Sequence, residues 1–228
     1  MSNSVRVNHI ESYINKSKGI LSWCVLCVII FLISIFIHEC GHGFANSLRG
    51  IECSTGFNRV GDIYKYPRDV DFRADYSAVS DSLLDFGVPA TLMLAVIGTL
   101  FFCLPKGKMG KTIALGFAAT NSVMRLIPCL FVVMVPLLTG RVHDEDEYGT
   151  GLALAEATGY SFLIYLPALI SILVSVMCIA CFYRKLKTEI SSKGFIRYSF
   201  LTLFSFYITM IIANILDNIV RINWTAIR

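Results

Sequence analysis

The sequence predicts an all-α polytopic membrane protein with about five transmembrane helices. Hydrophobic residues make up 55% of the 228 residues and charged residues only 16%, and the mean hydropathy is +0.65. Soluble domains carry roughly 25% charged residues, so this composition excludes an ordinary soluble protein. The apolar residues are also collected into runs near the ~20 residues that a helix needs to cross the hydrocarbon core of a bilayer.

The apolar runs define the organisation of the chain. The predicted spans cover residues 19–48, 83–104, 112–138, 160–183 and 195–216. We divide the chain accordingly into a polar segment at 1–18 that lies on the membrane surface, a membrane core at 19–160 and a C-terminal transmembrane helix pair at 161–228.

The charge distribution suits a lipid bilayer rather than nucleic acid. The formal net charge is only +4, and the basic residues cluster at the ends of the predicted spans, where they meet lipid headgroups. They are more numerous on the side of the N-terminus, so the positive-inside rule predicts a cytoplasmic N-terminus. Seven of the eight cysteines fall in apolar stretches, which argues against a disulfide framework. The sequence carries no signal for an oligomeric state.

The most informative stretch is a His-Glu-x-x-His motif at the end of the first span, formed by His38, Glu39 and His42. On a helix, the two histidines lie on one face about one turn apart and can bind one metal ion. Glu39 would lie beside that metal, where a carboxylate can take a proton from water. Residues 20–37 carry no charge, and ionisable residues in a membrane span are usually functional. The alternative is an ordinary polar helix end at the membrane surface.

A third metal ligand is expected from the end of the third span, because that end lies on the same side of the membrane as the motif. Catalytic zinc sites commonly have three protein ligands and keep one position for water. The candidates are His143, Asp144, Glu145, Asp146 and Glu147. One acid of this group is expected to reach the metal while its neighbours stay in water.

Two polar residues, Asn121 and Arg125, lie one helical turn apart within the third span. An arginine near the middle of a span costs on the order of 3 kcal/mol, so Arg125 is expected to face the protein interior and to have an anionic partner. Asp217 or an acid of the 144–147 group could be that partner.

The polar segment at 50–82 contains two stretches, 51–57 and 63–66, that are predicted as short β-strands. Gly61 and Asp62 are expected to interrupt the strand structure between the two stretches. A strand edge next to a metal site could hold an unfolded substrate by main-chain pairing. An ordinary surface loop is the alternative for this segment.

These features resemble the site-2 protease family of intramembrane zinc metalloproteases. The resemblance covers about residues 20–160 and rests on the order of three elements. A His-Glu-x-x-His motif stands late in a hydrophobic helix, Gly87-Val88-Pro89 opens the next span, and an Asn- and Pro-containing span leads to an acidic ligand.

The resemblance implies a zinc endopeptidase that cleaves a membrane-embedded or membrane-adjacent segment of another membrane protein. It implies that His38, His42 and an aspartate bind one zinc ion per chain, and that Glu39 is the catalytic residue that activates water. It also implies a polar contact to the substrate or to the oxyanion that forms on it, for which Asn121 and Arg125 are the candidates. Asp146 is preferred as the aspartate and Asp144 is the alternative, because a helix-like stretch follows Asp146 as it follows the family's ligand.

Two other functions use the same residues. In a membrane metal-binding or transport protein, His38, His42, Asp144 and Asp146 would form a transit site. Transporters more often have repeated halves with polar residues on several spans, and this sequence has no evident repeat. In an inactive protease-like scaffold, the buried motif would destabilise the span unless a metal were bound.

Overall fold

A computed structural model describes residues 17–66, 69–73, 83–104, 108–143, 145–187 and 191–227. The surface segment predicted at 1–18 therefore lies almost entirely outside the described residues, and so does Asp144, the alternative metal ligand.

The described residues form an all-α polytopic fold with one small sheet, as predicted. The helices are α1 Ser17–Leu48, α2 Gly87–Cys103, α3 Lys108–Thr139, α4 Asp146–Thr158, α5 Leu166–Leu186 and α6 Ser192–Leu216. A short 3-10 helix, Ser161–Tyr165, leads into α5. The strands are β1 Cys53–Thr55, β2 Val60–Gly61 and β3 Ile222–Trp224.

Four helical segments are long and apolar enough to cross a membrane, which is compatible with an integral, multi-pass protein. They are Gly19–Leu48, Gly110–Thr139, Ser161–Leu186 and Ser192–Leu216. The fifth apolar helix, α2, has 17 residues and is about 26 Å long at 1.5 Å per residue. Its first turn contains Pro89, which is tolerated there because the first amide groups of a helix have no intrahelical partner.

The helix α3 lies at the centre of the bundle and packs against α1, α2, α5 and α6. Glycine permits its closest approach to α2, since a Cβ atom at Gly98 would lie 2.6 Å from the backbone nitrogen of Ala118. Trp23, Phe31, Phe102 and Leu115 are among the buried residues that fill the space between these helices.

The sheet is antiparallel with the order β2-β1-β3. The strand predicted at 51–57 is confirmed at its centre as β1, but the one predicted at 63–66 is wrong. The partner strand is β2, which includes Gly61, and Tyr64 instead bonds through its backbone to the side chain of Asn223. The strand β3 was not predicted, because it comes from the other end of the chain.

Arg221 fixes this sheet to the end of α6. Its guanidinium donates to Asp217 Oδ2 and to Ser54 Oγ, each at 3.0 Å, and Asp217 accepts the backbone amides of Phe57 and Asn58. These bonds connect the turn after β1 to the last residues of α6. The sheet and the C-terminal segment therefore lie at one end of the bundle.

That end is also the end of α1 that carries the His-Glu-x-x-His motif. The backbone amide of Ile227 donates to the carbonyl of Ser47 at 2.9 Å. The helix α2 begins there and runs to the opposite end, where the carbonyl of Cys103 accepts a hydrogen bond from Lys185 Nζ at 2.5 Å. The apolar helices therefore traverse the bundle five times between Ser17 and Leu216.

We predict that the two termini lie on opposite faces of the membrane. Epitope tags at each terminus should differ in their accessibility to added protease in sealed vesicles of one orientation. Equal protection of both tags would mean that α2 does not cross the bilayer with the four longer helices.

Candidate metal centre

The residues His38, Glu39 and His42 lie on α1 and are all buried, with exposed fractions of 4%, 5% and 4%. Because a helix places residues i and i+4 on one face, the two imidazoles meet with their Nε2 atoms 3.1 Å apart. His38 lies roughly 29 Å along the helix axis from Gly19 at 1.5 Å per residue. In a bilayer with a ~30 Å core, the motif would therefore lie near the far boundary of the hydrocarbon region.

Asp146, the first residue of α4, completes a three-sided group with the two histidines. Its Oδ2 lies 2.9 Å from His38 Nε2, and its Oδ1 lies 3.6 Å from His42 Nε2. Metal–ligand bonds of about 2.0–2.1 Å in a tetrahedral zinc site place neighbouring ligand atoms roughly 3.3 Å apart. The structure thus brings together the three residues predicted as ligands, and they could hold one metal ion.

The position of Asp146 in its helix also favours the charged carboxylate that a metal requires. The chain is extended at Glu145 and becomes helical at Asp146, where the helix dipole stabilises a negative charge. Burial by itself would raise the pKa of Asp146, whereas the charge of protonated His42 and His38 holds that pKa well below its usual range when no metal is bound.

Glycines allow α2 to approach the centre from the side. A Cβ atom at Gly87 would lie 2.7 Å from His42 Nε2 and 3.0 Å from His38 Cε1. On α1, a Cβ atom at Gly41 would lie 2.6 Å from the backbone nitrogen of Gly87. The first turn of α2, which contains the Gly-Val-Pro element of the sequence, therefore lies directly against the two imidazoles.

Asp85 is a residue of this centre that the sequence analysis missed. Its Oδ1 lies 2.8 Å from His42 Nδ1, and its side chain is only 8% exposed. The available signal was an acid placed just before Gly87, at the end of the second span that lies on the side of the motif.

Glu39 follows His38 directly on α1 and is buried beside the group. Its Oε2 atom is buried and has no hydrogen-bond partner among the described residues. The sheet lies close to this part of α1, because the ring of Phe36, three residues before Glu39, packs on Phe57 with centroids 4.9 Å apart.

Arg125 has the anionic partner that its position in a span requires. Its Nη1 donates to Glu147 Oε1 at 3.3 Å and to Asp146 Oδ2 at 3.5 Å, so the partner comes from the acidic group. Asp217 pairs with Arg221 instead.

The prediction that only one acid of the 143–147 group is buried is wrong, because Glu147 is buried as well. Its side chain is fully buried and accepts a further bond from Cys129 Sγ at 3.0 Å. Asp146 and Glu147 both turn inward because they occupy the first turn of α4 opposite the Arg125 guanidinium. Glu145 is partly exposed and pairs with His143 at 3.2 Å.

Asn121 is fully buried one turn before Arg125, but its Nδ2 donates to the carbonyl of Phe117 in its own helix at 3.0 Å. Its Oδ1 has no hydrogen-bond partner within the described part of the chain. The contacts of Asn121 are thus made within α3, and its role towards a substrate stays a prediction.

The charges around the two histidines favour a bound cation. The centre contains four carboxylates, from Glu39, Asp85, Asp146 and Glu147, and one guanidinium, from Arg125, which contacts only the last two of them. If all are ionised and the histidines are neutral, the centre carries a net charge of −3, which a divalent cation reduces to −1. An uncompensated buried charge is strongly unfavourable, so the donor set and the charge both suit a divalent metal.

No protein-family model matches the sequence, and neither the curated proteins nor the solved structures contain a match. Function is therefore inferred from the sequence motif and from the geometry of the metal centre.

We predict that Arg125 stabilises the protein chiefly by neutralising Glu147. Arg125→Met should lower the free energy of unfolding by about 3–5 kcal/mol, because it leaves a buried charge unpaired. Arg125→Met combined with Glu147→Gln should recover most of that loss. Denaturant unfolding in detergent would measure the free energy of unfolding of the single and of the double variant.

Arg59→Met is the matched control, because Arg59 is 41% exposed and lies 3.9 Å from Asp217. It should change stability by less than about 1 kcal/mol. A double variant no more stable than Arg125→Met would contradict the assigned role of Glu147.

Proposed function

We propose that this protein is an intramembrane zinc metalloprotease of the site-2 protease type. It hydrolyses a peptide bond in a transmembrane or juxtamembrane segment of another membrane protein. The observation that carries the proposal is the convergence of His38, His42 and Asp146 on one point, with the carboxylate of Glu39 beside them. The first three come from two helices, and His38 and Asp146 are 108 residues apart in the sequence.

Zinc is the metal that we assign to this centre. Two imidazoles and one carboxylate are a common donor set of catalytic zinc, and three protein ligands leave a fourth position for water or substrate. Zinc held there would supply a Lewis acid that acidifies water and polarises the scissile carbonyl. The expected stoichiometry is about one ion per chain.

Glu39 is the residue to which we assign the proton transfers. Its buried Oε2 atom is unengaged by the described residues, so it is available to a water molecule. The carboxylate takes the proton from the attacking water and then gives it to the nitrogen of the leaving amine. The peptide bond breaks between the carbonyl carbon and that nitrogen.

The substrate enters this site in an extended form. A helical substrate hides its carbonyls in its own hydrogen bonds, so the segment must unwind before the carbonyl can be attacked. The near-boundary position of His38 along α1 suits a cleavage site close to the end of a span. The apolar exterior and modest net charge of +4 suit a membrane-protein substrate and a lipid environment rather than nucleic acid.

Metal transport fits the centre less well than hydrolysis does. The guanidinium of Arg125 lies 3.5 Å from Asp146, and a fixed cation next to a ligand would repel an ion that has to pass. Within the described residues, one group alone has metal-binding geometry, whereas a transit path needs successive sites. An inactive scaffold would have no use for the intact Glu39.

We predict that Glu39→Gln abolishes cleavage and leaves the metal in place. The removal of a general base lowers the rate by about 100-fold or more, while Glu39 is not one of the three ligands. The assay is cleavage of tagged single-span membrane proteins, with a Gly-Pro pair in the span, co-reconstituted with the enzyme in vesicles.

Glu156→Gln is the matched control, because Glu156 is an exposed acid on α4, and it should cleave at the wild-type rate. Wild-type activity in Glu39→Gln would contradict the mechanism. A zinc-loaded wild type that cleaves no span of the panel would contradict the protease assignment.

A further inference from the structure

The two histidines of the metal centre are held differently on the side away from the metal. The Nδ1 atom of His42 lies 2.8 Å from the Asp85 carboxylate. Neither Nδ1 atom makes a hydrogen bond of good geometry in the described ranges, but that of His42 has a carboxylate at ion-pair distance. The Nε2 atom of His38, on the metal side of its ring, lies 2.9 Å from Asp146.

Asp85 contacts the Nδ1 atom of His42, on the side of the ring opposite the proposed metal, and is therefore not a ligand of that metal. The Nε2 atom of His42 faces His38 Nε2 at 3.1 Å, and the Nδ1 atom lies on the other side of the ring. An imidazole can give its Nε2 lone pair to a metal only while its proton is on Nδ1. A carboxylate placed at Nδ1 keeps the proton there and makes Nε2 a stronger donor.

The Asp85 carboxylate is itself fixed by the backbone. The oxygen that faces His42 also accepts the amide of Gly87 at 2.9 Å. The residue between them, Phe86, packs its ring on Phe44 of α1 with centroids 5.6 Å apart. The carboxylate thus has partners on two sides and little freedom to rotate.

Close packing of two backbones brings Asp85 to this position. Gly41, the neighbour of His42 in sequence, faces the start of α2 without a side chain between them, since its Cβ atom would lie 2.6 Å from Phe86 C and from Gly87 N. The segment before α2 therefore cannot approach in this way if either glycine is replaced by a larger residue.

We infer that Asp85 is a positioning residue of the metal centre, which sets the tautomer and the orientation of His42 and raises its affinity for the metal. The inference rests on the metal binding of the proposed function and is independent of peptide hydrolysis. It makes His42 the more firmly held of the two imidazole ligands.

The test compares Asp85→Asn and Asp85→Ala with the wild type in detergent. Zinc affinity is measured by competition with a chromophoric chelator, and ligand geometry by the visible absorption of the Co²⁺-substituted protein. Asparagine can still accept from Nδ1–H but carries no charge, and alanine removes both effects. We expect affinity to fall 10- to 100-fold in Asp85→Asn and further in Asp85→Ala, with an altered Co²⁺ spectrum in Asp85→Ala.

Asp71→Asn is the control, because Asp71 is an exposed acid, and it should bind both metals as the wild type does. Helical content by circular dichroism separates a positioning effect from misfolding, since Asp85→Asn should keep the wild-type signal. Wild-type zinc affinity in both Asp85 variants, or weakened binding only where helical content is lost, would overturn the inference. A wild type that binds neither metal would instead overturn the proposed function.

Discussion

The contact between the two imidazoles of α1 and the carboxylate of Asp146 is the constraint on which the rest of the structure depends. Ionisable groups at this depth in a span are unfavourable unless they are paired. The pairing involves three further elements. The segment before α2 contributes Asp85 behind His42, α3 contributes Arg125, and α4 begins at the ligand itself. A divalent metal at this point would balance most of the negative charge that these elements bring together.

The sheet packs against the end of the bundle that carries the metal centre. The guanidinium of Arg221 donates to Asp217 and to the backbone and side chain of Ser54, so it connects the C-terminal segment, β1 and α6 as one unit. Trp224 extends this unit onto the motif helix, since a Cβ atom at Gly43 would overlap its indole ring. Contacts from the sheet and from the C-terminal segment therefore restrain the end of α1, as a preorganised site requires.

Sequence patterns predicted the parts of this structure that depend on local spacing. The spans follow from apolar runs, because a bilayer requires every backbone polar group to be bonded internally. The meeting of His38 and His42 follows from their i, i+4 spacing. The burial of Glu147 and the contact of Asp85 with His42 depend on how helices pack, and β3 depends on a strand pairing across the whole chain. No local pattern encodes such contacts, which explains why the strand at 63–66 was wrongly predicted.

The most direct measurement is the zinc content of detergent-purified wild type beside His38→Ala, His42→Ala, Asp146→Ala and Asp144→Ala. We predict about one zinc per chain in the wild type and in Asp144→Ala, and loss of zinc in the other three variants. Zinc absent from a wild type purified without chelator, or retained in Asp146→Ala and lost in Asp144→Ala, would contradict the metal centre described above.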